Sequence, residues 1–508
     1  MFRNPVIDAD YSDPDVCRVG NDYYMTASSF NCFPGLPILH STDLVNWEII
    51  GHALQDDYPV LPEFQGTELD WKKQVQHGNY VWAPSIRYHD GWFYIYCGDP
   101  DQGLFMTRAQ DPRGPWEPIV WVKKGKGLID CCPLWDEDGR MYLVNGWAAS
   151  RCGFNSVLTV RELSADGTKA ISAPRMVYDG QTDFIGSKTG KGNHTVEGPK
   201  FYKRDGYYYI LAPAGGVEHG WQIALRSRHI YGPYESKTVC EADGIHQGGW
   251  VGDKFLCFQE RGAYGRILHL LDVEWRDGWP MMKLRKDKPT AVTYADGLYG
   301  KGYTWHANYQ HWYGFATPDG GQRIYGCAVE PREGANGRPN LWDVPNLWLR
   351  KIDGENVTET LHLRITAKAE GHESGMVVMG RDYCRIGLRY EDGDFTLSQV
   401  ICREAETKHE DAPIRIAQIP SQNYNAGALD NHECDIWLRV KVERKPTAKA
   451  PYNALCTFSY STDGTKYHTL PTTFPAREGK WIGAKVGAYS LTPSDKSRGW
   501  CDLILQNK

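Results

Sequence analysis

What this chain lacks narrows its class. Its 14 cysteines include no Cys-x-x-Cys pair, although Cys131 and Cys132 are adjacent. Zinc-ligand spacing is therefore missing, and a disulfide framework would be out of place in a chain of 508 residues. Cys17, Cys97, Cys257 and Cys456 lie in apolar, strand-like runs and read as reduced core residues. No apolar run approaches membrane-spanning length. The formal net charge is −6 with no basic block, which argues against a nucleic-acid partner. Met1-Phe2-Arg3-Asn4-Pro5 lacks the apolar segment of a secretory signal peptide; together with reduced cysteines this points to the cytoplasm. Long amphipathic helices are also hard to find.

Aromatic residues, by contrast, are abundant, with 19 Trp and 30 Tyr. In a chain without membrane spans they favour β-rich structure and ligands that stack on rings, carbohydrate among them. Length alone suggests two to four domains.

A unit recurs along the first two thirds at intervals of roughly 45 to 70 residues, the range in which propellers are suspected. Each copy centres on a tight turn leading into an aromatic strand: Gly20-Asn21-Asp22-Tyr23-Tyr24, His89-Asp90-Gly91-Trp92-Phe93, Asp138-Gly139-Arg140-Met141-Tyr142, Arg204-Asp205-Gly206-Tyr207-Tyr208 and Val251-Gly252-Asp253-Lys254-Phe255. Asp-Gly between strands suits a hairpin because glycine accepts positive φ at little cost. Three units continue into a second element closed by an aromatic: Ser41-Thr42-Asp43 to Trp47, Ala109-Gln110-Asp111 to Trp116, and Ser227-Arg228-His229 to Tyr234. Five such units predict a five-bladed β-propeller with a funnel-shaped site on its axis; a β-sandwich array is the competing architecture. Gly334-Ala335-Asn336-Gly337-Arg338-Pro339-Asn340 reads as a boundary, placing the propeller at residues 1–335 and a second domain at 336–508. Period-two strands such as Thr360 to Thr366 and Ile436 to Val442 make that second domain an antiparallel β-sandwich. The whole chain is thus expected to be all-β.

Three carboxylates stand in constrained settings. Asp13 precedes Pro14, which pushes it out of the α region, although Asp-Pro is also common turn chemistry. Asp130 enters the apolar run Cys131-Cys132-Pro133-Leu134-Trp135, and Glu197 lies in Val196-Glu197-Gly198-Pro199 just before a hairpin. At one structural place on successive blades they would converge on the axis. One acid to protonate a leaving oxygen, one base to activate water and a third carboxylate to keep the acid protonated is the set glycosidic hydrolysis needs. Asp15 rivals Asp13, since two residues on it would face the same side of a strand.

These motifs jointly resemble glycoside hydrolase family 43. The match rests on Asn4-Pro5 followed by Asp13-Pro14, Phe33-Pro34-Gly35, Trp82-Ala83-Pro84, Asp130 six residues before Asp136, and Glu197-Gly198-Pro199 before Gly206-Tyr207. Gly375-Met376-Val377-Val378-Met379-Gly380 and Gly479-Lys480-Trp481-Ile482-Gly483 resemble the concanavalin-like sandwich appended to many members. The resemblance implies β-xylosidase or α-L-arabinofuranosidase activity with inversion. It makes Asp13 the general base, Asp130 the pKa modulator and Glu197 the general acid. It also assigns Arg266, Trp82 and Phe30 to sugar binding. No cofactor is required, although relatives hold a calcium or other cation near the axis at the position of His246. Cys32 departs from the pattern, because many xylosidases carry a tryptophan there. A wider pocket would follow, which places arabinofuranose ahead of xylose with dual activity open. The partner is then a plant cell-wall oligosaccharide, with a homo-oligomer left open. A strict β-1,4-xylosidase, an endo-arabinanase and a non-catalytic carbohydrate-binding propeller are the alternatives.

Overall fold

The computed structural model describes residues 4–55, 75, 77–184, 190, 192–242, 244–284, 293–294, 302–307, 309–335, 337–422, 431–447, 452–496 and 498–505. Each expected hairpin forms the inner half of a blade of four antiparallel strands, to which Thr293–Tyr294 adds a fifth, parallel strand at the outer edge of the first blade. The innermost strands are Asp15–Val19, Trp82–His89, Leu128–Trp135, Lys200–Arg204 and His246–Val251. Their hairpins turn where the sequence places small left-handed residues: Asp90 and Gly91 have φ of 46° and 84°, Asp205 and Gly206 of 51° and 72°. The second repeated element joins the third and fourth strands of three blades, and a latch recurs there. The indole of Trp47 donates to the Leu44 carbonyl at 3.0 Å, that of Trp116 to Pro112 at 3.3 Å, and the Tyr234 hydroxyl to Ile230 at 2.9 Å.

The ring closes through the N-terminal segment. Leu268 N donates to Ile7 O at 2.9 Å, and the Asn4 side chain brackets the Leu270 backbone, donating to its carbonyl (2.8 Å) and accepting from its N–H (2.7 Å). Both leucines belong to Arg266–Arg276, the third strand of the last blade, so first and last blades are joined as closed propellers require. The axis itself is polar. Asp15, fully buried, accepts from Ile86 N (2.9 Å) and Arg87 Nη1 (2.5 Å), while the buried Lys200 ammonium donates to Pro84 O (2.7 Å) and Ser85 Oγ (2.9 Å). These bonds satisfy charges that would otherwise be costly to bury, and they tie the innermost strand of the second blade to those of the first and fourth.

The second domain is a sandwich of a seven-stranded and an eight-stranded sheet. Alternating side chains of Asn356–Ala367, Glu373–Met379, Tyr383–Glu391 and His432–Arg444 meet in one apolar core that includes Leu363, Ile365, Met376, Ile386, Ile436 and Leu438. The domain boundary at 335/336 needs correction. Thr304–Trp305 pairs with Trp348–Lys351 in the seven-stranded sheet, and Gly314–Ala316 and Gln322–Tyr325 extend the eight-stranded one. Sandwich strands therefore begin at residue 304. The Gly/Asn/Pro stretch is a loop inside the domain, tied down by Asn340, whose side chain accepts from Trp342 N and donates to the carbonyls of Ala405 and Lys408. Turn chemistry marks a turn, and here the turn was not a linker.

The domains are docked by directional bonds. Phe33 and Trp305 exchange backbone hydrogen bonds (2.9 and 2.6 Å), and Ala484 N donates to Ala263 O at 2.8 Å. Arg444 of the sandwich forks onto the Asp8 carboxylate of the propeller at 2.9 and 3.0 Å. Such contacts hold one domain at a fixed height over the other.

Candidate active site

Four consecutive blades enter their innermost strand through a left-handed residue: Asp13 (φ 54°), Ala83 (35°), Asp130 (55°) and Gly198 (59°). For a residue with a Cβ this conformation costs about 1–2 kcal/mol, and such strain gathers at functional sites. It also breaks the alternation of side chains along the strand. Asp13 and Asp15 consequently do not face the same side as period two would require: Asp15 turns into the axial network with Arg87, and Asp13 lines the pocket. The three carboxylates are not at one blade position either. Asp13 and Asp130 share the left-handed place, whereas Glu197 is one residue earlier and Gly198 occupies that place. A Cβ on Gly198 would lie 2.4 Å from Gln247 Cδ, so glycine is needed there.

All three nevertheless converge on one cavity of about 290 Å³, together with Phe30, Trp82 and Arg266. Asp13 is held by the Ser28 hydroxyl, which donates to its Oδ2 at 2.6 Å and in turn accepts from Ala83 N at 2.7 Å. Arg266 Nη1 stands 3.4 Å from both Asp13 oxygens and supplies their counter-charge. Asp130 is buried, and its Oδ2 accepts from Gly198 N at 2.8 Å. Burial first, then the charges of Glu197 and Asp13, push its pKa well above the ordinary carboxylate range, against the opposing pull of Gly198 N–H and Lys200. The cluster therefore retains a proton at pH values where exposed carboxylates have lost theirs, and that proton belongs to the coupled set. Glu197 is the most accessible of the three, with Oε1 3.5 Å from His246 Nε2.

His246 is buried, and its Nδ1 has no hydrogen-bond partner among the described residues. Among the described residues no three His, Cys, Asp or Glu side chains converge as metal ligands. One imidazole nitrogen is a poor match to calcium, which takes six to eight oxygens, so these residues do not fit a protein-caged calcium.

The pocket has two walls that residue-by-residue reading of the sequence missed. Trp147 closes the strand Met141–Trp147 at the axial end. Trp481 comes from the sandwich: its ring stands 6.5 Å from Trp82 at 70°, and the Arg266 guanidinium lies 5.7 Å from its centroid. Its left-handed backbone (φ 67°) and 44 % exposure are the signature of a large ring held out of its own domain's core. The flanking Gly479 and Gly483 hinted at such a turn, but nothing in a single sequence says which domain it leans on. Cys32 takes no part in this cavity. Its thiol accepts from Lys485 Nζ at 2.9 Å and borders a different, smaller cavity. All 14 cysteines are free, and every one but Cys152 is buried.

A funnel of five blades whose axial end gathers three acids, an arginine and aromatic walls defines a propeller glycosidase. The sequence profile of glycosyl hydrolases family 43 matches residues 2–280, and that of the β-xylosidase C-terminal concanavalin A-like domain matches 292–503. The chain belongs to glycoside hydrolase family 43. A β-xylosidase of Formosa agariphila is 28% identical over 99% of this chain and 89% of its own length. A non-reducing end α-L-arabinofuranosidase of Bacteroides ovatus is 32% identical over 75% of this chain and 74% of its own. The crystal structure of a xylan β-1,4-xylosidase from Bacillus halodurans superposes with a TM-score of 0.72 at 20% identity, covering 99% of both chains; it shows the shared fold.

Proposed function

We propose that this glycosidase is an exo-acting, inverting pentosidase that removes a terminal β-D-xylose, and with it α-L-arabinofuranose, from plant cell-wall oligosaccharides such as arabinoxylan. The observation that carries the reading is the convergence of Asp13, Asp130 and Glu197 in a pocket closed on one side by Trp481 of the other domain. Asp13, oriented by Ser28 and neutralised by Arg266, is the general base that takes a proton from water. Glu197, the most accessible carboxyl, is the general acid at the leaving oxygen. Asp130 keeps the set protonated through charge coupling and orients Glu197 through Gly198 N–H. Inversion requires room for that water, with base and acid carboxyls about 6.5–9.5 Å apart. The aromatic faces of Phe30, Trp82 and Trp481 suit the apolar faces of a pentose, and Arg266 suits its hydroxyls.

Xylose is placed first because the cysteine that argued for arabinofuranose borders a different cavity, and because a relative alignable over nearly the whole chain is named a β-xylosidase. Similarity to an arabinofuranosidase over three quarters of the chain favours the second sugar. Nitrophenol release from aryl β-D-xylopyranoside and aryl α-L-arabinofuranoside, measured side by side, tests this. The expected result is a higher kcat/KM on the xyloside. Turnover of neither glycoside would favour a carbohydrate-binding propeller, and rapid internal cleavage of arabinan would favour an endo-acting enzyme.

A further inference from the structure

Behind the catalytic pocket, at the seam between the domains, lies a second and much smaller cavity of about 40 Å³, bordered by Asp10, Tyr11, Ser28, Cys32, Lys351 and Lys485. Charged and polar groups share its wall with apolar side chains such as Ile49 and Ile482, and it has room for one or two water-sized species. Its charge is unbalanced. The Lys351 ammonium stands 3.5 Å from the centroid of the buried Tyr11 ring. Among the described residues it has no hydrogen-bonding or ion-pairing partner of its own. Lys485, itself buried, donates to Cys32 Sγ at 2.9 Å and reaches Thr304 Oγ1 at 3.5 Å, again with no carboxylate in ion-pairing range among the described residues. Asp10 is the one acidic side chain on the wall, and its Oδ1 is already occupied by Arg266 N at 2.9 Å. His52, also on the wall, is held down to about 4 by burial and by Lys351, so it adds no charge. Burial, opposed by Asp10 and reinforced by Lys485, lowers Lys351 only to about 8, which leaves it largely protonated at neutral pH.

Two ammoniums, Lys485 buried and Lys351 partly exposed, facing one partly engaged carboxylate leave a positive excess and N–H donors without an acceptor among the described residues. We propose that this cavity binds a small inorganic anion of chloride size, held between Lys351 and Lys485. Its dimensions admit a monatomic halide and exclude polyatomic anions such as sulfate. Such an ion would supply the missing acceptor and charge where the two domains meet. It would also sit against Ser28, the residue that orients Asp13, so occupancy stiffens the wall behind the general base.

Crystals of the full chain soaked in sodium bromide give the direct test, with an anomalous bromine peak expected between Lys351 Nζ and Lys485 Nζ. In solution, chloride is titrated against gluconate at constant ionic strength. The Tm of the unaltered enzyme should rise by a constant increment per tenfold chloride above the dissociation constant, since stabilisation follows the logarithm of ligand concentration. Lys351→Met should lose that dependence. An empty cavity in bromide, or the same halide response in Lys351→Met as in the unaltered enzyme, overturns the proposal. Should the variant fail to fold, the bromide experiment on the unaltered enzyme decides alone.

Discussion

The floor of the catalytic pocket and its outer wall come from different domains and rest on different physics. The floor is backbone-determined: Asp13, Asp130 and Gly198 hold the left-handed place of the first, third and fourth blades, and Glu197 immediately precedes Gly198. The wall is assembled by docking. Trp481 reaches the sugar pocket only because the sandwich is fixed at the right height by Arg444 on Asp8 and by the paired backbones of Phe33 and Trp305. The acids thus belong to one fold, while one aromatic wall of their pocket depends on the placement of a second. Changes to the floor should alter kcat, and changes to the wall or its supports should alter binding or stability.

The largest effect belongs to the floor. Asp13→Asn should lower kcat by about 10²–10⁴-fold with little change in KM, because a general base acts in the transition state. Glu197→Gln should cost as much on xylo-oligosaccharides but much less on nitrophenyl glycosides, whose leaving group needs no proton. Equal losses on both would remove Glu197 from the acid's role. Next in size is the support of the wall. Arg444→Ala leaves Asp8 buried without its partner and should destabilise the protein by about 3 kcal/mol, measured by urea denaturation. A loss within experimental error would mean the remaining contacts, the Phe33–Trp305 and Ala484–Ala263 backbone bonds among them, hold the domains without this pair. Trp481→Ala should raise KM roughly tenfold, about 1.4 kcal/mol, and leave kcat nearly intact. An unchanged KM on short xylo-oligosaccharides would show that the sandwich is dispensable to the pocket.

How much of this was legible depended on whether a feature repeats. Tight-turned hairpins recur five times, three of them with Asp-Gly, and aromatic latches such as Trp47 and Trp116 recur with them, so the propeller could be read directly. Three things could not. The boundary was placed late because Gly334 to Asn340 has the composition of a linker, whereas the strands at 304–325 are too short to show alternation. The equivalence of Glu197 with Asp13 was wrong by one residue because a left-handed φ leaves no trace in composition unless it falls on glycine, as it does at Gly198. Trp481 escaped because its partners, Trp82 and Arg266, lie more than two hundred residues away in the chain.

The smallest effect near pH 4 is expected from Asp130→Asn, and it carries a sign. A buried carboxyl whose pKa is raised in the fold contributes its stability fully below the unfolded value, near 4, and loses it as pH rises through the folded one. Asparagine keeps an acceptor for Gly198 N–H without that loss. The Tm of Asp130→Asn minus that of the unaltered enzyme should therefore climb from about pH 4 and level off once the folded pKa is passed, even though activity falls. A difference that stays flat with pH would place the retained proton elsewhere in the cluster.

The account stands most directly on the stereochemistry of one turnover. Proton NMR of the sugar first released from an aryl β-D-xyloside, read before mutarotation, should show the α-anomer, as a water activated by Asp13 opposite Glu197 requires. A first product with β configuration would contradict it, since retention demands a covalent intermediate and a pair of carboxyls only about 5–5.5 Å apart.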